Sequence, residues 1–328
     1  MEYLRNNQLE SIREDWKGNP YQKNEFQYIG KSFRAEYSTV FKYLFRRNPQ
    51  AHEKKSDNWR PSVHRKVNYL NGDEDFIVWL GHATFLMQLN GVRIITDPVF
   101  YDLPMLKRFV YIPFELNELT DVDYVLLSHD HRDHCDQKSL KSFLKHNNAT
   151  ILTSLKMTDV ISSWVGKTPI QEAGWYQKYS LEKDGIEVIY LPAQHWCRRA
   201  LTDFNRRLWG SFIIKTEKLT VYFGADSASG EHFAEIGALF PDIDIAILGI
   251  GAYKPNFMMK DFHASPPEAK EAFDQLGAKR LIPMHYGTYD LSSEPISEPY
   301  NWIQESFSEK NESDKLILPG VNEVVYLD

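Results

Sequence analysis

The sequence has little of several things, and each shortage excludes something. Only two cysteines, Cys135 and Cys197, occur in 328 residues, too few for a disulfide framework and in keeping with a reducing compartment. No stretch approaches the roughly 20 consecutive apolar residues of a membrane-spanning helix. The opening Met1-Glu2-Tyr3-Leu4-Arg5-Asn6 lacks the apolar core of a secretory signal. A cytoplasmic location is therefore expected, with room for a peripheral contact at the inner membrane face. Positive charge is short as well. The formal net charge is −7, whereas a general nucleic-acid binder needs a basic footprint, so no nucleic-acid partner is expected. Hydrophobic residues, at 42%, and aromatic residues, at 14%, are ample for a sizeable core. The length suits one large domain or two of ordinary size, and nothing in the chain sets its oligomeric state.

What is present centres on one loop, Ser128-His129-Asp130-His131-Arg132-Asp133-His134. It follows a fully apolar strand at 124–127 and leads into a polar stretch, 137–147, that reads as a helix. Three histidines together with Asp133 within six positions form a metal-ligand cluster, because imidazole and carboxylate suit zinc and similar divalent first-row ions. His129 and His131 are two apart, so a chain leaving a strand can point both rings the same way. Asp133 and His134, displaced along the turn, more naturally face a second ion. The bland alternative is a solvated, His-rich loop. The strand-end setting, where α/β sites are built, argues for a site.

Taken in order, residues 1–74 read as an aromatic-rich extension with Tyr21, Phe26, Tyr28, Phe33, Tyr37, Phe41, Tyr43 and Phe45. Within it, 38–47 reads as a short amphipathic helix with basic ends, docked on the protein's own core or lying in a membrane interface. Residues 75–328 read as the catalytic domain. A strand at 76–83 is followed by a hairpin whose turn is Asn90-Gly91, the pair favoured in a type I′ turn. The loop 100–114 is apolar but carries Lys107-Arg108, which argues against simple burial, so part of it is expected to cover a site or meet a partner. Strands are expected at 149–153, 186–191, 243–250, 280–284 and 323–327, and helices at 155–165, 231–240, 266–276 and 300–307. A second hairpin spans 208–224. Gly81 precedes Asp97 by sixteen positions and Gly210 precedes Asp226 by sixteen, each interval holding a hairpin. The echo suggests two mixed sheets packed face to face with helices outside.

His195, Asp226 and His285 each follow an apolar strand directly, so all three can converge on the same edge as the histidine loop. The pattern His-x-His-x-Asp-His, then His, then Asp, then His resembles the metallo-β-lactamase superfamily, whose αββα sandwich agrees with the two-hairpin reading. Trp79-Leu80-Gly81-His82-Ala83-Thr84, Thr96-Asp97-Pro98, Gln194-His195-Trp196-Cys197, Leu208-Trp209-Gly210-Ser211, Gly249-Ile250-Gly251-Ala252-Tyr253, His263 and Met284-His285-Tyr286-Gly287-Thr288 are similar to one branch of it. That branch holds the N-acyl-phosphatidylethanolamine-hydrolysing phospholipases D and their bacterial relatives.

The resemblance implies a binuclear site. His129, His131 and His195 would bind one ion, Asp133, His134 and His285 the other, and Asp226 would bridge them. Two such ions share a hydroxide and clamp the attacking and leaving oxygens. Zinc is the default for this donor set, with manganese and iron compatible. Asp133 would also orient or deprotonate the water. The resemblance makes His263 an outer contact of the metal ligands, a substrate-phosphate contact or the leaving-group acid; a helix-capping neighbourhood with an exposed histidine is the alternative. His82 would orient a ligand or be a satisfied core histidine, and Asp97 would hold a ligand histidine or simply end its hairpin. Trp196, Trp209 and Tyr253 would line the cleft or pack in the core. Cys197 reads as a packed thiol. His52, His64, His146 and His232 lie in polar surroundings and receive no role.

The implied activity is hydrolysis of a lipid phosphodiester such as an N-acyl-phosphatidylethanolamine. A lactonase or sugar-phosphate lactonase on the same metals is the alternative enzyme. From another class, a metal- and lipid-binding protein without turnover remains, although all seven ligand positions are intact. A redox role lacks a flavin-binding segment.

Overall fold

A computed structural model describes residues 1–28, 47–65 and 68–327 of the chain. The helix expected at 38–47 lies, but for Arg47, outside the described residues. The chain opens with four short strands, β1 (Glu2–Leu4), β2 (Glu10–Ser11), β3 (Asn19–Gln22) and β4 (Glu25–Phe26). Three of them, in the order β1-β3-β4, make a small antiparallel sheet. A short helix, α1 (Ala51–Ser56), follows.

The first large sheet then begins with β5 (Phe76–Trp79), β6 (Phe85–Leu89) and β7 (Val92–Thr96), which run antiparallel. Asn90 and Gly91 have φ of 52° and 74°, the two positive values that a type I′ turn requires. Three further strands, β8 (Tyr124–Leu127), β9 (Thr150–Ser154) and β10 (Ile170–Ala173), add in parallel. Between them lie α2 (Gln137–Phe143) and α3 (Thr158–Val165).

The second large sheet repeats the scheme. Strands β11 (Gln177–Lys178), β12 (Glu187–Leu191), β13 (Ser211–Lys215) and β14 (Thr220–Phe223) are antiparallel, and β15 (Ile245–Gly249) and β16 (Arg280–Met284) follow in parallel. The helices here are α4 (His232–Leu239), α5 (Asn256–Met259) and α6 (Pro266–Leu276). The chain closes with α7 (Glu298–Ser308) and β17 (Val324–Tyr326), which returns to pair with β5. The two sheets have the orders β10-β9-β8-β7-β6-β5-β17 and β16-β15-β14-β13-β12-β11-β2. Both are mixed. Strand β2 makes the first residues an edge of the second sheet.

Alternation along the strands shows why the layers stack as they do. In β5, Ile77 and Trp79 join the core between the sheets, while Phe76 and Val78 join an outer cluster with Leu140 and Phe143 of α2 and Ile161 of α3. Phe85 meets Phe223 of the opposite sheet with ring centroids 6.3 Å apart. Phe233 and Ile236 of α4 and Ala269, Ala272 and Phe273 of α6 cover the second sheet's outer face. The result is an αββα sandwich, as the two hairpins suggested. Each large apolar side chain buried on a strand contributes roughly 1.5–3 kcal/mol, and strands buried on both faces collect it twice.

Helix α6 starts where Pro266 predicts. Ser265 and Glu268 form a reciprocal capping box, and Gly277, at φ 64°, ends the helix. Two departures from expectation are informative. The short, polar strands β10 and β11 gave no periodic signal. Arg108, whose charge argued against burial, is buried. Its guanidinium donates to the carbonyls of Leu80, Val99 and Val110, which is how an interior accepts such a cation. Exposed Met105, Lys107 and Tyr111 remain on that loop's surface.

One ion-pair cluster at α6, away from the strand ends, yields a test. Buried Lys270 on α6 lies 2.8 Å from Glu312, which also meets Lys315. Hydrogen bonds from Lys270 and Lys315 draw the Glu312 carboxyl from 4.5 down to about 2. A carboxylate depressed in the folded state contributes stability that is fully present above its unfolded value and lost as pH falls through the folded one. Glu312→Gln should therefore melt below the wild type at pH 7, and the two melting curves should converge between pH 4.5 and 2. Parallel curves throughout would deny the linkage.

Candidate metal centre

Strands β5, β7 and β8 point the same way, as do β12, β14, β15 and β16, so their carboxyl ends share one edge of the sandwich. Each delivers one or more polar side chains there. His82, Asp97, Ala225 and His285 all adopt positive φ, at 56°, 33°, 49° and 63°. A non-glycine residue is strained in that region, and the strain turns each chain sharply as it leaves its strand. Gly81, at φ +98°, is required beside His82, since a Cβ there would stand 2.4 Å from the Arg108 guanidinium.

The donors fall into overlapping groups: His129, His131, His195 and Asp226; His82, Asp133, His134 and His285; and Asp226, His263 and His285. In each group the ligand atoms lie within 4.8 Å of one another. Asp226 stands between the first two. Its Oδ2 is 3.1 Å from His134 Nε2, 3.5 Å from His195 Nε2 and 3.8 Å from His129 Nε2, and its Oδ1 is 3.1 Å from His285 Nε2.

Partners on the far side of each ring decide which nitrogen faces inward. The Ser128 hydroxyl donates to Asp97 Oδ2 at 2.6 Å, leaving its oxygen to accept from His129 Nδ1 at 2.9 Å. His195 Nδ1 donates to the Phe262 carbonyl at 2.9 Å, and His134 Nδ1 to Asp97 Oδ2 at 2.8 Å. With those protons placed outward, His129 Nε2 and His195 Nε2 present lone pairs to His131 Nδ1, at 2.9 and 3.1 Å. Burial holds His129 and His195 well below the ordinary histidine range, so both are neutral. Asp97, which the sequence left between two readings, thus positions His134 and Ser128.

The other side of the cluster is electronegative. Burial alone would raise the carboxyls of Asp133 and Asp226, yet the surrounding histidines hold both well below the carboxylate range. Burial disfavours charge on His134 and His285 too, but the two aspartates outweigh it, lifting His134 strongly and His285 to about 9. Such a field draws cations. His134 Nε2, His285 Nε2 and Asp226 Oδ1 are buried and take no hydrogen bond. Orphaned donor atoms so placed, with inward lone pairs opposite them, fit one or more divalent ions.

His82 Nε2 lies 3.0 Å from Asp133 Oδ2, and the Thr288 hydroxyl accepts from the His82 backbone N–H at 2.7 Å. Burial lowers His82 to about 3, so it is a neutral ring that orients Asp133. His263 comes into the cluster, its Nδ1 3.9 Å from Asp226 Oδ2, and burial lowers it to about 4. Trp196 stands edge-on to His131 at 4.7 Å and packs with Phe204 and Phe262, forming an aromatic wall.

Other expectations fare differently. Tyr253 donates to Glu298 at 2.5 Å and packs against Trp302 of α7, so its hydroxyl is turned from the cluster. Trp209 is core, donating to the Ala193 carbonyl, and Cys197 is a buried thiol. His232, expected among polar surroundings without a role, is not at the surface. It is buried, with Nε2 2.9 Å from the Ser227 hydroxyl and Nδ1 3.4 Å from the Tyr28 hydroxyl. The roles of Ser128 and Thr288 carried no sequence signal beyond lying one and three positions from a histidine.

A family model described as a beta-lactamase superfamily domain matches residues 92–286. The chain belongs to the metallo-β-lactamase superfamily. It is a metal-dependent hydrolase of that superfamily. It is 34% identical over 248 residues to the N-acyl-phosphatidylethanolamine-hydrolyzing phospholipase D 1 of Caenorhabditis elegans, covering 70% of this chain and 69% of that one. It is 30% identical over 232 residues to a mitochondrial enzyme of the same name from Saccharomyces cerevisiae, covering 67% of this chain and 49% of that one. Among solved structures, an isothiocyanate hydrolase from Delia radicum gut bacteria superposes with a TM-score of 0.63 at 17% identity, over 77% of this chain and 99% of that one. That likeness speaks for the fold. No helix among the described residues is long and apolar enough to cross a membrane.

The Asp97 contacts generate a prediction for this hydrolase. Asp97→Asn should weaken divalent-metal binding by about 10–100-fold, the usual cost of losing an outer partner of a metal ligand. Chelator competition on protein of unchanged circular dichroism checks it.

Proposed function

We propose that the chain is a phosphodiesterase of the phospholipase D type, acting on N-acyl-phosphatidylethanolamine-like lipids with two divalent ions, zinc by preference. The observation that carries this reading is Asp226 standing between two sets of inward-facing nitrogen and oxygen donors. His129, His131 and His195 would hold one ion and Asp133, His134 and His285 the other, with Asp226 shared. Ions so held supply an activated water near neutral pH and neutralise charge on a phosphoryl group. The names of the relatives in worm and yeast support the lipid substrate.

The chain's own groups have separable tasks. Asp133, steadied by His82 and less buried than Asp97 or Asp226, would accept a hydrogen bond from water and orient it. His263, neutral and partly open to solvent, offers an imidazole N–H to a phosphoryl oxygen or to the leaving alkoxide. Trp196, Phe204 and Phe262 exclude water on the His131 side and give an acyl chain an apolar wall. Fully exposed Met105 and nearly fully exposed Leu201 suit peripheral contact with a lipid surface, Leu201 with Arg198 and Arg206 exposed on the same segment.

Zinc-loaded protein given N-acyl-phosphatidylethanolamine in mixed micelles should release N-acylethanolamine and phosphatidic acid. His131→Ala should lose more than the roughly 10–100-fold typical of outer contacts. No release from a protein that holds two ions would overturn the lipid assignment.

A further inference from the structure

The histidine loop makes a second set of contacts that face away from the cluster of donors. Asp130, between His129 and His131, is fully buried, and its carboxylate accepts from Arg207 through both Nε, at 2.7 Å, and Nη2. Arg207 is itself buried and shares Nη2 with Asp203 Oδ2 at 2.5 Å. From the same segment, Arg199 Nη1 donates to the main-chain carbonyls of Asp130, at 2.5 Å, and Cys135, at 2.7 Å. One guanidinium nitrogen thus joins the middle of the loop to the residue just past its end, with Cζ 5.0 Å from the centroid of the Trp164 ring on α3. Asp203 Oδ1 closes the segment by accepting from the backbone N–H groups of Arg199 and Ala200.

The segment 199–207 begins four positions after His195, so it ties the loop at the end of β8 to the strand end that carries His195. These belong to different sheets. A buried carboxylate that loses its partner is costly. The Asp130–Arg207 pair therefore holds one arrangement of the backbone between His129 and His131, and displacing it would turn both rings. Neither group reaches the cluster itself.

We infer that Arg207, acting through Asp130 and seconded by Arg199, is a positioning residue that sets how tightly His129, His131 and His195 hold a metal ion, an inference that rests on the metal-centre reading above. Metal affinity depends on such outer contacts because they fix ring direction before the ion arrives.

The test is zinc competition between the full chain and a chromophoric chelator, using Asp130→Asn and Arg207→Lys, with apo melting temperatures alongside. Both substitutions keep size and leave Arg207 or its replacement near Asp203. Each variant should release at least one ion at a chelator concentration about 10–100-fold lower than the wild type does. Lys270→Met on α6, which breaks the ion pairs of Lys270 with Asp274 and with Glu312 beyond α7, serves as the control. It should lower the melting temperature and leave zinc affinity unchanged. Unchanged zinc affinity in Asp130→Asn and Arg207→Lys would overturn the inference, as would an equal loss in Lys270→Met. Should Asp130→Asn fail to fold, Arg207→Lys decides alone, since it retains the cation. A wild type that binds a single ion would sink the two-ion reading, while the affinity for that ion would still judge Arg207.

Discussion

A buried carboxylate ringed by imidazoles is the constraint on which the rest of this structure depends. Asp226 and Asp133 stay ionised where water is largely excluded, and only positive charge nearby makes that tolerable. The same carboxylates lift His134 and His285 above the ordinary histidine range, and divalent ions would answer the same negative charge. The positive φ angles at His82, Asp97 and His285 are the strain through which the backbone brings these groups together. A packed sandwich of two seven-stranded sheets is stiff enough to hold them in place.

The sheets serve the centre by symmetry. Each begins with an antiparallel hairpin and continues in parallel, which sends the carboxyl ends of successive strands to one edge. One half contributes the histidine loop, His82 and Asp97; the other contributes His195, Asp226 and His285. Contacts across the halves keep them in register at that edge. Tyr190 on β12 donates to the Ser128 carbonyl at 2.7 Å, and the 199–207 segment grips the loop from below. The site is an interface within one chain, and its precision depends on both sheets.

Much of this was legible from local pattern. Apolar runs followed at once by His, Asp or Gly mark strand ends, and the paired sixteen-residue intervals mark the duplicated hairpins. Helix α6 announced its start with Pro266, whereas β10 and β11 are too short and polar to show a period. Charge misled at Arg108, because a guanidinium can be buried when carbonyls converge on it, and no local rule reveals that convergence. Polarity misled at His232, which is buried against Phe233 and hydrogen-bonded to Ser227 five positions earlier.

By itself the sequence determined the donor types, their placement at strand ends and the family they belong to, because strand periodicity and ligand spacing are local properties of the chain. The tertiary structure decided which side chains meet. It brought His82 and His263 into the cluster, turned Tyr253 to Glu298, and joined Asp130 to Arg207 across 77 positions. Those pairings follow from how loops cross above the sheets, where geometry depends on the packing of the whole molecule and leaves no periodic trace in the chain.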